Sequence, residues 1–415
     1  MAMSTFLRMD SRIYFLVFAA LLSPMGRASD ASAEEPREDT REKVLAEKRT
    51  VTEYRIAGHV EGEERVLQVH TPKGYEQSVD LRFPVLYVLD SERNLPHTLN
   101  TVEFLTSRRK MPATLVVGLP NPSDDARRRD YKPRGPKDDG VETGGADAFL
   151  RDLEQRLIPF VEQRYRTLSF RMLAGHSRSG LFALHSLIER PELFHARFAF
   201  SPALWHDGEA VLPRAEEFLR RSSARRSFWF MNLGGKENPN ITHAYLRMHD
   251  VLNHSAQDWL RWYAPPIAAD ESHGTTPAIG MYRALRRLFT GYSLSVEEFQ
   301  NGGIQAVFDH TNRTAEELGF RFPPRSDLVN SAGYFHLERQ EVEQALTAFE
   351  LNLRLSPNDP NVYDSLADGL EAAGRLDDAR DAATKACRMA REISDPRQES
   401  FCEHHARLIG AGQSS

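Results

Sequence analysis

Three Gly-x-Ser triplets occur in the chain, and one of them places a serine where it could act as a nucleophile. Ser177 directly follows an apolar, strand-like segment at 171–174 and precedes a helix-like segment at 181–189. The other two triplets end at Ser293 and Ser414 and lack this context. A serine between a strand and a helix predicts a nucleophile elbow, in which a strained turn lifts the hydroxyl above the edge of a sheet.

The elbow requires small residues two positions before and after the serine, because larger side chains would collide within the turn. Gly175 and Ser179 occupy these positions, and Gly180 follows at once. Ser179 stands where glycine is usual, and we expect it to fit at some cost in strain. The alternative interpretation is an ordinary strand-to-helix turn in which Ser177 caps the helix.

A serine hydroxyl is a weak nucleophile until a base removes its proton, so a histidine is expected further along the chain. Of the 15 histidines, His273 has the most suitable context. It follows the predicted strand at 260–263, lies in the turn at 270–274 and precedes a predicted helix through residues 281–288. His310 is the second candidate, and a surface histidine without a catalytic role is the alternative for each.

In proteins with a nucleophile elbow the order along the chain is serine, acid, histidine. The acid is therefore expected between Ser177 and His273. Glu237 follows the predicted strand at 227–233 and is the leading candidate. It would accept the second imidazole N–H and stabilise the imidazolium. Asp270 and Glu271, close to His273 in sequence, are the rivals. A Ser-His dyad without a strong acid also remains open.

An oxyanion formed by attack of the serine would need two backbone N–H donors. One is predicted to be the amide of Arg178, the residue after the nucleophile. The other is predicted in the loop after the strand at 83–89, between Asp90 and Glu92, with Ser91 as the chosen residue.

The elements that must position these residues are continuously apolar runs separated by helical segments. Such runs are typical of parallel strands covered on both faces, and their alternation with helices predicts a right-handed, doubly wound α/β sheet. Active groups of these sheets lie beyond the carboxyl ends of the strands. An alternating pair of segments at 51–70 predicts a hairpin. The predicted strands are 83–89, 113–119, 171–174, 196–200, 227–233 and 260–263, and the predicted helices are 146–165, 181–189 and 241–253.

Four blocks of the chain resemble the family called Putative esterase, of the esterase D, enterochelin esterase and antigen 85 type. The likeness is greatest to exported hydrolases that carry C-terminal tetratricopeptide repeats, and it covers roughly residues 50–290 and the tail. It implies an α/β-hydrolase fold and ester chemistry without a cofactor, with Ser177 and His273 matching the family's catalytic serine and histidine. The blocks are Pro84–Asp90, Gly175–Gly180, Ser201–Trp205 and Glu271–Gly274.

The resemblance implies a small-molecule ester as substrate, such as a siderophore lactone. Arg127 and Arg129, in the long polar loop at 121–145, and Trp205 are the candidate substrate-binding residues. The alternative for the arginines is a solvated basic run balanced by neighbouring aspartates. We also keep two other functions open, an acyltransferase of the same fold and an inactive hydrolase domain that serves as a scaffold.

The N-terminus has the order of a secretory signal peptide. Arg8 and Arg12 precede the apolar run Ile13–Leu22, which at ten residues is shorter than the roughly 20 that a membrane span needs. Cleavage is expected after Ala28 or Ala33, with export to the periplasm or outside the cell. The alternative is an uncleaved anchor or a buried helix.

The segment from residue 326 repeats small residues at an interval of 34, as when Gly333 and Ala345 are followed by Ala367 and Ala379. This period is typical of tetratricopeptide repeats, which bind proteins. Two copies are fewer than independent stability usually needs, so the unit is expected to dock on the main domain.

The two cysteines of the chain, Cys387 and Cys402, both lie in this tail. A disulfide between neighbouring helices and two buried thiols both remain open. Cys402, Glu403, His404 and His405 superficially suggest metal ligands, but we expect a capping helix and no metal because no second cluster with ligand spacing exists.

A length of 415 residues suits two domains, and a composition of 40% hydrophobic and 27% charged residues is typical of a soluble globular protein. The net charge of −6 argues against general nucleic-acid binding. The predicted organisation is a signal peptide at 1–28, a solvated leader at 29–48, an α/β-hydrolase domain at 49–290, a connection at 291–325 and a TPR-like helical domain at 326–415.

Overall fold

The computed structural model describes residues 51–76, 79–135, 144–221 and 224–412, so the predicted signal peptide and leader lie outside the described residues. These described residues belong to one compact unit. The strands are β1 (Val51–Ala57), β2 (Glu64–His70), β3 (Phe83–Leu89), β4 (Leu115–Leu119), β5 (Thr167–His176), β6 (Ala196–Phe200), β7 (Ser227–Asn232), β8 (Gly234–Lys236), β9 (Leu260–Tyr263) and β10 (Ala268–Ser272).

Eight of these strands form one sheet in the order β1-β2-β4-β3-β5-β6-β7-β9 within the described ranges. The predicted hairpin of β1 and β2 is present and antiparallel, and β2 also pairs antiparallel with β4. All other pairs in this sheet are parallel. The predicted mostly parallel α/β architecture is therefore confirmed, with β5 near the centre.

Helices cover both faces of the sheet. Alternate residues of β3 show this, because Tyr87 packs into one apolar cluster and Leu86 into a second. The helices are α1 (Ser91–Ser107), α2 (Asp124–Tyr131), α3 (Ala146–Asp152), α4 (Ile158–Arg164), α5 (Arg178–Glu189), α6 (His206–Glu209), α7 (Val211–Arg221), α8 (Pro239–Ser255), α9 (Thr276–Leu288), α10 (Val296–Leu318), α11 (Ser326–Leu337), α12 (Val342–Leu355), α13 (Pro360–Ala372), α14 (Leu376–Glu392) and α15 (Gln398–Gly412). A π-helical turn, Leu153–Leu157, joins α3 to α4.

The segment predicted as a long polar loop contains the helix α2. Ser123 caps this helix by accepting the Ala126 N–H at 3.1 Å. Acidic residues occupy its first turn and arginines its last turn, which favours the helix dipole. These signals stabilise a helix without producing an apolar face, so the hydrophobic pattern did not indicate one.

The C-terminal region consists of paired helices. The pair α11 and α12 starts at Ser326 and Val342, and the pair α13 and α14 starts 34 residues later in each case, at Pro360 and Leu376 (360 − 326 and 376 − 342). A disulfide between Cys387 and Cys402 joins α14 to α15, which decides between the two alternatives left open for the cysteines. Among the described helices, none has the length and apolarity needed to cross a bilayer.

Candidate active site

The turn at Ser177 has the backbone of a nucleophile elbow. Ser177 lies between β5 and α5 with φ 60° and ψ −112°, in a region that non-glycine residues rarely adopt. A Cβ atom at Gly175 would lie 2.3 Å from the carbonyl oxygen of Ser179, so only glycine fits there. The turn is also tied to the next strand, because the Ser177 N–H donates to the Phe200 carbonyl at 2.9 Å.

A separate two-stranded parallel sheet, β8 with β10, places the proposed acid beside the proposed base. Ser272 pairs with Lys236 in this sheet, so the next residues, Glu237 and His273, leave it side by side. The two strands lie close together, because a Cβ at Gly234 would lie 2.5 Å from the Glu271 carbonyl oxygen. The glycines before Glu237 are therefore a requirement of this pairing.

Glu237 and His273 form a direct hydrogen bond, with 2.8 Å between Nδ1 of the imidazole and Oε2 of the carboxylate. The Glu237 side chain is 0% exposed and that of His273 is 37% exposed. The second oxygen of Glu237 accepts from the hydroxyl of Ser201, which also lies 2.8 Å from the Thr276 hydroxyl. Burial alone would raise the pKa of Glu237, but the hydrogen bonds from His273 and Ser201 lower it below its usual value. The carboxylate is thus held ionised.

His273 is held against the elbow through the residue before the serine. Nε2 of His176 donates to the carbonyl of His273 at 2.8 Å, and the two rings are 4.5 Å apart. Burial, together with the nearby charge of His273, lowers the pKa of His176 to about 4, so its ring stays neutral and can donate in this way. Glu237 and His273 are therefore joined to the turn that contains Ser177 through His176.

The other candidates for the acid and the base have different surroundings. The side chain of Asp270 is fully exposed, 4.0 Å from the ammonium of Lys236. Glu271 lies within β10 and is half-buried. His310 lies in α10, where its Nε2 bonds to the Tyr292 carbonyl at 3.0 Å. Glu237 is the carboxylate that contacts His273.

Two helices begin beside the elbow, and each starts with one of the amides chosen as oxyanion donors. Arg178 is the first residue of α5 and Ser91 is the first residue of α1. The N–H groups of a first helical turn have no acceptor within the helix and carry the positive end of its dipole. Ser91 is itself buried.

The two arginines chosen as substrate-binding residues already have carboxylate partners in the protein. Arg127 makes two hydrogen bonds to Asp90, at 2.7 and 2.8 Å, and is almost buried. Arg129 makes two to Glu63, at 2.7 and 2.8 Å. Both guanidinium groups therefore contribute to the structure of α2 and its surroundings.

A third guanidinium, that of Arg178, is half-buried beside the elbow. Its pKa is lowered by burial and then by the nearby positive charges of Arg127 and Arg128. Among the described residues no carboxylate forms an ion pair with it. Trp205 is 40% exposed, and it follows a loop in which the Ala203 N–H donates to the Ser177 carbonyl at 2.9 Å. The surroundings of the elbow thus include a half-buried cation and a partly exposed aromatic side chain.

Three residues that hydrogen-bond to the proposed acid or base were not predicted from the sequence. They are Ser201, which bonds to Glu237, and Thr276 and His176, which bond to the carbonyl of His273. Ser201 follows β6 directly and has a positive φ of 39°, the same signature of a special turn that marks Ser177. The position after a strand end was thus an available signal for Ser201. Thr276 and His176 are recognisable through their contacts in three dimensions.

One group of potential metal ligands occurs within the described ranges, formed by Asp364, Asp368 and His404 in the C-terminal helices. Nδ1 of His404 bonds to Asp364 at 2.6 Å. Cys402 is in the disulfide, so it offers no thiolate ligand. The group lies on α13 and α15, outside the elements that form the site above.

Residues 59–250 match the model of the family described as Putative esterase. A siderophore triacetylfusarinine C esterase of Aspergillus fumigatus is 31% identical over 38% of this chain and 58% of its own length. A siderophore enterobactin esterase of Emericella nidulans is 30% identical over 41% of this chain and 63% of its own length. The matches thus span less than two thirds of either relative.

The comparisons support the Putative esterase family. An IroE-like serine hydrolase of Shewanella oneidensis has 25% sequence identity and a TM-score of 0.64, over 74% of this chain and 99% of that one. The family model matches the part of the chain that contains Ser177 and Glu237.

Proposed function

We propose that the protein is a serine esterase that hydrolyses a carboxylic ester through an acyl-enzyme. The observation that carries the proposal is the buried Glu237 carboxylate bonded to Nδ1 of His273, whose backbone is tied to the residue before Ser177. This arrangement leaves Nε2 of His273 as the nitrogen that can act as a base. It also fits the acid–base–nucleophile logic of serine hydrolases.

In the proposed reaction, Nε2 of His273 takes the hydroxyl proton as Oγ of Ser177 attacks the ester carbonyl carbon. The carbonyl oxygen becomes an oxyanion that accepts from the amides of Arg178 and Ser91. The intermediate collapses by breaking the bond to the alcohol oxygen, which receives the proton from His273. A water molecule then loses a proton to His273 and attacks the acyl-enzyme, and the acid is released as Ser177 regains its proton.

The proposed substrate is an anionic ester, with a siderophore lactone as the leading class. Arg178 places a positive charge next to the nucleophile, and its pKa is lowered by burial, as expected for a cation that water solvates incompletely. An anion that enters these half-buried surroundings would form a strong ion pair with Arg178, because water solvates the guanidinium incompletely there. Two relatives are named as siderophore esterases, which supports a siderophore as the substrate class. Trp205 would supply an exposed apolar surface for the rest of the substrate.

The function is tested by incubating the purified protein with p-nitrophenyl esters, matched thioesters and a ferric catecholate trilactone. We expect carboxylic acid release with a burst of alcohol equal to the enzyme present if deacylation is slow, and a higher kcat/KM for the anionic lactone than for neutral esters. Absence of turnover for every ester would contradict the proposal. Acyl transfer to an added sugar in preference to water would instead favour the acyltransferase.

Replacing Glu237 by glutamine should lower kcat for ester hydrolysis by about 10⁴-fold, as for the acid of other triads. A neutral amide no longer holds the imidazole in the required tautomer and no longer stabilises the imidazolium. Steady-state kinetics of Glu237→Gln checks this, with Asp270→Asn as the matched control for a neighbouring carboxylate. A loss confined to Asp270→Asn would transfer the role of the acid to that residue.

We also propose that the protein is exported and that the C-terminal helices form TPR-like repeats that bind a partner protein. We propose the same domain boundaries as those predicted from the sequence. The disulfide between Cys387 and Cys402 supports an oxidising compartment, and the interval of 34 residues between successive helix pairs supports the repeat.

A further inference from the structure

Ser179, which stands where the elbow usually has glycine, is fully buried and hydrogen-bonded on two sides. Its Oγ accepts the N–H of His176 at 2.7 Å and donates to Oδ2 of Asp90 at 2.7 Å. The carbonyl of His176 lies 2.9 Å from the same oxygen. A hydroxyl has one proton to donate, and a carboxylate is a stronger acceptor than a backbone carbonyl. The Ser179 hydroxyl therefore donates its hydrogen bond to Asp90. Ser179 therefore links the backbone of His176 to the side chain of Asp90, whereas the sequence alone suggested only a serine that fits the turn at some cost in strain.

Asp90, the other end of this link, is a fixed anion. It is buried, has φ 53° and occupies the N-cap of α1. Besides Ser179, it accepts two hydrogen bonds from Arg127 and one from Asn121 at 2.6 Å. Burial alone would raise its pKa, but the bonds and charge of Arg127, with Ser179 and Asn121, lower it. The carboxylate thus remains charged and held from three directions.

The link joins the starts of the two helices that supply the proposed oxyanion donors. Asp90 directly precedes Ser91, and Ser179 directly follows Arg178. The hydrogen bond between Asp90 and Ser179 therefore connects neighbours of the two amides and bridges the ends of β3 and β5.

We propose that Ser179 and Asp90 are positioning residues that hold the amides of Ser91 and Arg178 in register for the oxyanion, with Arg127 fixing Asp90. The inference rests on the proposed esterase function. Oxyanion donors must lie within about 2.7–3.1 Å of the developing charge, and a displacement of about 1 Å can cost on the order of 100-fold in rate. With glycine at position 179 this connection would not exist, so the serine gives this chain its own means of fixing the site.

The alternative is that the link only stabilises the fold, and a matched control separates the two. Ser186 lies on the same helix, is fully buried, and its Oγ contacts the Ala183 carbonyl at 2.8 Å and Nε of Arg197 at 2.9 Å. Ser186→Ala thus removes an equally buried hydroxyl with two hydrogen bonds away from the site.

The test compares Ser179→Ala with Ser186→Ala in the full mature protein, using kcat and KM for a p-nitrophenyl ester and the temperature of unfolding. We expect Ser179→Ala to lower kcat by about 10- to 100-fold and change KM by less than about twofold, because the link acts on the transition state. Ser186→Ala should lower the unfolding temperature while kcat stays within about twofold. A kcat for Ser179→Ala within twofold of the unchanged protein overturns the proposal, as does an equal loss in both variants.

Asp90→Asn supplies the second measurement, since asparagine tolerates the left-handed backbone at this position. If the two residues act through one contact, the double variant should be no slower than Asp90→Asn alone. Losses that multiply instead would contradict a shared role. The proposed function has its own test, because an unchanged rate in Ser179→Ala together with an inactive Ser177→Ala rejects only the positioning role.

Discussion

Replacing Ser177 by alanine is expected to lower kcat for ester hydrolysis by about a millionfold, the scale seen when the nucleophile of a serine hydrolase is removed. Without Oγ no acyl-enzyme forms, and water must attack the bound ester directly. The remaining rate should reflect the oxyanion donors and substrate binding alone. The alanine variant should keep its fold, because the strained backbone at this position comes from the contacts of the surrounding turn.

The measurement is the steady-state rate of the Ser177→Ala protein with p-nitrophenyl esters and the ferric catecholate lactone. Ser293→Ala is the matched control, since Ser293 belongs to a second Gly-x-Ser triplet and its hydroxyl bonds to the Arg109 carbonyl at 2.6 Å. This control should retain full activity. A folded Ser177→Ala protein with more than about one tenth of the original rate would remove Ser177 from the mechanism.

Replacing His273 by alanine should reduce kcat by a similar factor, about 10⁶-fold. The serine then keeps its proton at neutral pH, and the leaving alcohol receives none. Because the contact from His176 is made to the backbone carbonyl of His273, the loop should keep its position in the variant. The folding of the protein should therefore change little while the chemistry is lost.

His254 provides the control for this variant, because it is exposed at the end of α8 and its Nδ1 bonds only locally, to the Asp250 carbonyl at 2.8 Å. His254→Ala should leave kcat within about twofold, whereas near-normal turnover in His273→Ala would assign the base to another residue. Partial recovery of the His273→Ala rate by added imidazole would support the loss of a base, since a free imidazole can occupy the vacated space.

Most of the sheet could be predicted because its strands are buried on both faces and so appear as continuous apolar runs. The strand β3 is the clearest case, with all seven residues buried. The helix α1 was not predicted, since it contains Pro96 and has a mixed composition. The strands β8 and β10 were also missed, because the first is three residues long and contains two glycines and the second has no buried residue.

The candidate nucleophile, base and acid could be chosen from sequence because each follows a strand, where the fold places reactive groups. Their supports could not be chosen in this way. The contact between Asp90 and Ser179 joins residues 89 positions apart, and no local pattern indicates such a pairing. Arg127 illustrates the reverse, since its sequence context suggested substrate binding or a solvated basic run, whereas its guanidinium is bonded to Asp90.

Covalent labelling is the direct test of whether Ser177 is an activated nucleophile. The protein is treated with a fluorophosphonate, digested and analysed by mass spectrometry for the modified peptide. We expect one phosphonylated residue, Ser177, with labelling lost in Ser177→Ala and strongly slowed in His273→Ala. Absence of any adduct on the folded protein, or an adduct that persists in Ser177→Ala, would contradict it.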